Sequence, residues 1–142
     1  MADSYVFGLA TLKMFDKQID LMNDDIKVML LNDSATPNQH SNEFISDLNA
    51  DEITGSGYDA GGITLSNKTV TYSAPTMTFD ADDITWSAST ITNALYAVAY
   101  DYTGLTTTSP VICYVDFGTV QTSSSSDLIL EWDSSGIFTA TV

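Results

Sequence analysis

The sequence predicts a mainly β, single-domain protein, a β-sandwich of jelly-roll-like character with an N-terminal α-helix. Three observations predict it. From Ile63 to the C-terminus, short apolar-alternating segments are separated by turn residues at intervals typical of sandwiches. The run Ile26-Lys27-Val28-Met29-Leu30-Leu31 is apolar at both parities, as a strand buried on both faces must be. Near the N-terminus, Tyr5, Leu9, Leu12 and Phe15 recur at helical spacing behind Ser4, a good N-cap residue.

In chain order, the helix is expected over about 5–17, although Gly8 weakens it by up to ~1 kcal/mol relative to alanine. After the polar turn Asn23-Asp24-Asp25 comes the strand 26–31. Residues 32–62 carry Pro37, Gly55, Gly57, Gly61, Gly62 and many Asn, Asp and Ser residues, so this stretch reads as surface loop with a short helix near Asn42–Leu48. The β segments that follow are Ile63–Ser66, Lys68–Tyr72, Met77–Phe79, Ile84–Trp86, Leu95–Tyr102, Val111–Phe117, Leu128–Trp132 and Ile137–Val142. Alternation puts Tyr96, Val98, Tyr100 and Tyr102 on one face, and Val111, Cys113, Val115 and Phe117 on one face of a second strand, each with one face packed. Ser123–Ser126 reads as a hairpin loop. A chain of 142 residues buries roughly 70% of its unfolded surface, enough for one core without staples.

Charge narrows the function classes. Nineteen carboxylates face four lysines, Lys13, Lys17, Lys27 and Lys68, for a formal net charge of −15. Phosphate backbones are bound by cations that displace counterions, so no nucleic-acid partner is expected; anionic lipid is repelled for the same reason, and no membrane partner is expected either. Specific partners must be held by short-range packing and hydrogen bonds. The N-terminus lacks a basic signal-peptide region, and no apolar run approaches the ~20 residues of a membrane span. Cys113 is the only cysteine, so no intrachain disulfide forms and folding is expected in a reducing compartment.

Catalytic constellations are not visible in the sequence, and none is assigned. The sole histidine, His40, lies in a loop without a nucleophile elbow or paired-histidine motif elsewhere. Asp80, Asp82 and Asp83 could suit a hard cation such as calcium, but they lack the glycine and terminal glutamate of an EF-hand loop, and an acidic turn is the simpler reading. Asp116, Glu131 and Asp133 could supply paired acids for glycoside hydrolysis, but their spacing is unspecific. Cys113 alternates with Val111 and Val115 and reads as a small buried hydrophobe. Trp86, Trp132 and the tyrosines of 95–102 either fill the core or form a sugar-binding platform; burial of both tryptophans would decide against the platform. No cofactor is expected.

Strings in order along the whole chain carry a family resemblance. They are Phe15-Asp16, the strand 26–31, Thr36-Pro37-Asn38, Phe44-Ile45-Ser46-Asp47-Leu48, Gly57-Tyr58-Asp59-Ala60-Gly61-Gly62 and Thr78-Phe79-Asp80-Ala81-Asp82-Asp83-Ile84-Thr85-Trp86. Tyr96-Ala97-Val98-Ala99-Tyr100, Val115-Asp116-Phe117-Gly118 and Trp132-Asp133-Ser134-Ser135-Gly136-Ile137-Phe138-Thr139 complete the set. The chain resembles small structural proteins of tailed-bacteriophage virions, in particular the capsid decoration or cement class. That resemblance implies a non-enzymatic protein made in the host cytoplasm. It would be added to the outer capsid surface as a homo-oligomer, with a trimer favoured, bridging and stabilising major capsid protein subunits. A tail or baseplate component shares the same size and composition, and a carbohydrate-binding module is the alternative from another class. Phe7 and Met14 fall on the helix side opposite the docking stripe, so they are the expected interface with a neighbouring copy or the major capsid protein. The competing expectation is that the 32–62 segment folds over them within one chain.

Overall fold

Strand pairing of residues far apart in sequence organises the molecule. The computed structural model describes residues 3–142. Its elements are β1 (Asp3–Val6), α1 (Gly8–Phe15), β2 (Ile26–Asn32), β3 (Gly55–Ser56), β4 (Ile63–Thr64), β5 (Thr69–Ser73), β6 (Thr76–Asp80), β7 (Ile84–Asp101), β8 (Val111–Leu130) and β9 (Phe138–Thr141). They form a mainly β fold of two antiparallel sheets, compatible with a β-sandwich. The large sheet has the order β1-β8-β7-β2-β4, with β3 also paired to β7; the small sheet has the order β5-β6-β9.

β2 is buried at nearly every position, as its apolar run requires. Its neighbours are less one-sided than alternation predicts. From Ala97 to Asp101 and from Val111 to Cys113 every residue is buried, so the middle of the large sheet is covered on both faces. The 32–62 segment supplies part of that cover. It is irregular but not superficial: Ala35, Ile45, Leu48, Ile53 and Tyr58 are all buried. Its expected helix is a single 3₁₀ turn, Ile45–Asp47, whose preceding Glu43 and Phe44 N–H groups donate to the Asp47 carboxylate.

Where this segment returns to the large sheet, polar groups are placed with care. The Tyr58 hydroxyl accepts from the Leu30 N–H at 3.0 Å and donates to Glu52 Oε1 at 2.8 Å; the same carboxylate accepts from the Gly61 N–H. The Tyr100 hydroxyl donates to the Gly61 carbonyl at 2.6 Å. Gly62 has φ +83°, and a Cβ there would lie 1.8 Å from the Val28 carbonyl oxygen, so only glycine lets the chain pass this close.

The segments predicted at 84–86 and 95–102 are one strand, β7, and those at 111–117 and 128–132 are largely one strand, β8. Ser123–Ser126 is therefore strand and not a hairpin loop. Register shifts between Trp86 and Tyr96 interrupt the pairing, at positive-φ residues Ala88, Asn93 and, opposite, Ser125. The Ser89 hydroxyl lies within donating distance of the Trp86 and Ser126 carbonyls and meets the Ser123 hydroxyl at 2.8 Å, a polar knot at the bulged part of the ladder.

The N-terminus departs most from expectation. Residues 3–6 pair with β8, Tyr5 stacks on Tyr114 at 5.1 Å between ring centroids, and the Phe7 N–H donates to the Ile112 carbonyl. Only then does α1 begin. The strand is only four residues long, Asp3-Ser4-Tyr5-Val6, and its Tyr5 also satisfies the helical spacing of Leu9, Leu12 and Phe15.

Candidate functional site

Shortening the helix changes which side of it faces inward. Phe7 is 0% exposed and Ala10 is buried, with Met14 half-buried on the same stripe, whereas Phe15 is 81% exposed. The expected interface residue Phe7 is thus a core residue of its own chain, and this assignment is corrected. The physical reason is visible around it: the Gly8 N–H donates to the Gln39 carbonyl at 2.9 Å, and Gln39 Nε2 donates to the Val6 carbonyl at 2.8 Å, so the 32–62 segment is tied to the start of α1. Lys13, bonded to Glu43 at 2.9 Å, adds a second tie.

Met14 borders a different feature. Between α1 and the small sheet lies a cleft of about 270 Å³, lined almost wholly by apolar side chains, among them Met14, Phe15, Leu21, Val70, Met77 and Phe138. The register explains its chemistry. Val70 pairs with Phe79 and Tyr72 with Met77, while Phe79 pairs with Phe138 and Met77 with Ala140, so these six side chains share one face. The other face is Thr69, Thr71, Ser73, Thr76, Thr78, Asp80, Thr139 and Thr141. Only Phe79 of the apolar six is fully buried; Val70, Tyr72 and Met77 remain exposed.

The acidic turn is built for local structure. Asp80 Oδ1 accepts from the Ala81 N–H, Asp82 Oδ2 from Asn67 Nδ2, and Asp83 Oδ1 from the Trp132 N–H, while the Trp132 indole donates to the Asp82 carbonyl. Each of the three aspartates thus serves a different partner, and among the described residues no group of three or more His, Cys, Asp or Glu side chains is arranged to hold a metal ion. His40 is exposed, and its N–H donates to the Asn38 side chain in a turn. Asp116 and Asp133 each cap a turn by accepting a backbone N–H two residues on. Cys113 is buried, and desolvation pushes its thiol up to about 12, which keeps it protonated and unreactive.

Trp86 and Trp132 are 2% and 8% exposed, and Trp86 stacks with Tyr58 at 6.2 Å, so neither offers a flat face to a sugar. A shallow cleft beside Trp86, of about 330 Å³, is lined with Phe117, Leu128 and Glu131 among others.

One ionisable pair was not singled out from sequence. Asp101, at the end of β7, is buried next to Asp24; burial first, and the hydrogen bond and charge of the Asp24 carboxyl second, push its carboxyl up to about 7. Lys68, which donates to the Asp24 carbonyl, works against that shift. Its signal in the sequence is faint: an acid after the apolar run Leu95-Tyr96-Ala97-Val98-Ala99-Tyr100, opposite the run Asn23-Asp24-Asp25.

Compared with family models, curated proteins and solved structures, the chain finds no match in any of the three. Among the described residues, no helix is long and apolar enough to cross a membrane.

Proposed function

We propose that this protein is a non-enzymatic structural component of a tailed-phage virion, of the capsid decoration class, attached to the outer head surface through the major capsid protein. The observation that carries the proposal is the apolar cleft between α1 and the small sheet. In a chain of net charge −15, an open surface built from Phe15, Val70 and Met77 is where short-range packing can hold a partner that long-range charge does not attract. The sequence resemblance supplies the class of particle. Many copies on one head would multiply a modest contact into firm attachment.

Labelling intact particles of the parent phage with a specific antibody tests the location, and label on heads is the expected result. Heads from a deletion strain should assemble but tolerate heat less well, with tolerance restored by purified wild-type protein and not by a folded Phe15→Asp/Met77→Asp variant. Label on tails, or loss of host adsorption with unchanged head stability, would replace this reading with a tail or baseplate component. The burial of both tryptophans favours either over a carbohydrate-binding module.

A further inference from the structure

β5 is an edge strand, with β6 on one side and, among the described residues, no strand on the other. All of Thr69-Val70-Thr71-Tyr72-Ser73 is exposed, and the five residues pair with β6 in unbroken register. Edges of sheets expose a row of unpaired N–H and C=O groups, and soluble proteins blunt them with lysine, proline, a bulge, shortness or a covering segment. Inside its span β5 has no lysine, proline or bulge. Its residues form no further backbone hydrogen bond among the described residues. The other edges are better guarded: β4 is two residues long, and β9 runs beside β1.

We propose that β5 pairs antiparallel with β5 of a second copy about a two-fold axis through Thr71, joining two three-stranded sheets into one of six strands. The strand is complementary to itself in this register. Thr71 meets its own counterpart, Val70 lies opposite Tyr72 of the second copy, and Thr69 lies opposite Ser73 of the second copy. These are a β-branched–aromatic pair and a hydroxyl pair, both favourable cross-strand combinations. Paired residues have the same parity, so outward-pointing bonding groups meet outward-pointing ones without a slip.

Charge selects the same place. Two copies of a −15 chain repel one another at range, but the strand carries no charged residue, and salt screens separations beyond ~8 Å. The apolar row Val70, Tyr72 and Met77 would continue across the axis. The contact is isologous, so each copy consumes its own open edge and the assembly closes as a dimer. It goes beyond the virion reading and needs no phage head to test.

Light scattering on the purified full chain, from micromolar to several hundred micromolar, should show twice the monomer mass. Thr71→Lys places two ammonium groups on the axis and should weaken the dimer at least tenfold while its far-UV circular dichroism stays that of wild type, because Thr71 is exposed on the polar face. Thr71→Cys should form a covalent dimer on mild oxidation, because opposed Cα atoms in an antiparallel pair lie ~4.5–5.5 Å apart, within disulfide reach. Buried Cys113 does not compete. Ser73→Cys, which faces Thr69 of the second copy, should cross-link far less. A monomer over the whole concentration range, a trimer, or equal cross-linking by the two cysteine variants overturns the proposal. If Thr71→Lys fails to fold, the cysteine pair decides alone.

Discussion

The two sheets handle the same problem differently. In the large sheet, β2 and the adjoining ends of β7 and β8 are covered on both faces, and the groups the covering segment brings with it are bonded, as with Tyr58 between Leu30 and Glu52. The small sheet alternates strictly between an apolar and a threonine-rich face, and most of its apolar face stays open. Stability is concentrated in the first; the second keeps apolar area uncovered, which in a folded monomer contributes little. The difference teaches that hydrophobic content alone does not locate the core: Phe7 and Phe15 are the same residue type one helix apart, and only the one facing β8 is buried.

The largest test of this contrast is Gly62→Ala. The new methyl would strike the Val28 carbonyl from a backbone conformation that L residues avoid, and about 3 kcal/mol or more of stability should be lost in urea denaturation. A loss below 1 kcal/mol would mean that the 32–62 segment is not held tightly against β2. Next comes Tyr58→Phe, which leaves the Leu30 N–H without its acceptor; about 1–3 kcal/mol is expected, with the dimer unaffected.

A different effect lies in the pH dependence. Asp101 has its carboxyl raised in the folded state from the ordinary 3.8 to about 7, so the native protein binds this proton more tightly than the unfolded chain does. Its contribution to stability is full below pH 4 and is lost as pH rises towards and through 7. Asp101→Asn stays neutral, so it should match wild type only below pH 4 and melt higher than wild type at pH 8. Parallel melting curves across that range would remove the Asp24–Asp101 pair from the account. Smallest of all, Phe15→Ser in the open cleft should change folding stability by no more than about 0.5 kcal/mol. A loss of several kcal/mol there would show that the cleft belongs to the core and erase the contrast between the sheets.

The sequence made some of this legible and hid the rest for identifiable reasons. β2 was readable because six consecutive residues with five apolar side chains leave few other folds. The strands of the small sheet were readable because period-2 alternation is undisturbed in them. β7 and β8 appeared as pairs of short segments because bulges at Ala88, Asn93 and Ser125 break the alternation, and a serine network buried between the strands looks, in one dimension, like loop composition. The helix stripe was misassigned because a small inward residue, Ala10, carries almost no hydrophobic signal, while exposed Leu12 and Phe15 carry a great deal. The cleft follows from that same inversion and from the turn at Asp16 and Lys17, where φ becomes positive; no residue pattern announces it.

The place of β1 has a consequence for synthesis. Asp3 finds its register partner at Asp116, on a strand that the ribosome completes last but one. At ~5–20 residues per second, on the order of 5–20 s pass between the synthesis of Tyr5 and Val6 and that of Tyr114 and Cys113. Through that interval β1 lacks the strand it pairs with. The residues of β1 therefore wait longest between their own synthesis and that of their register partners, and a protease or chaperone acting on growing chains meets them before the finished sheet can hide them.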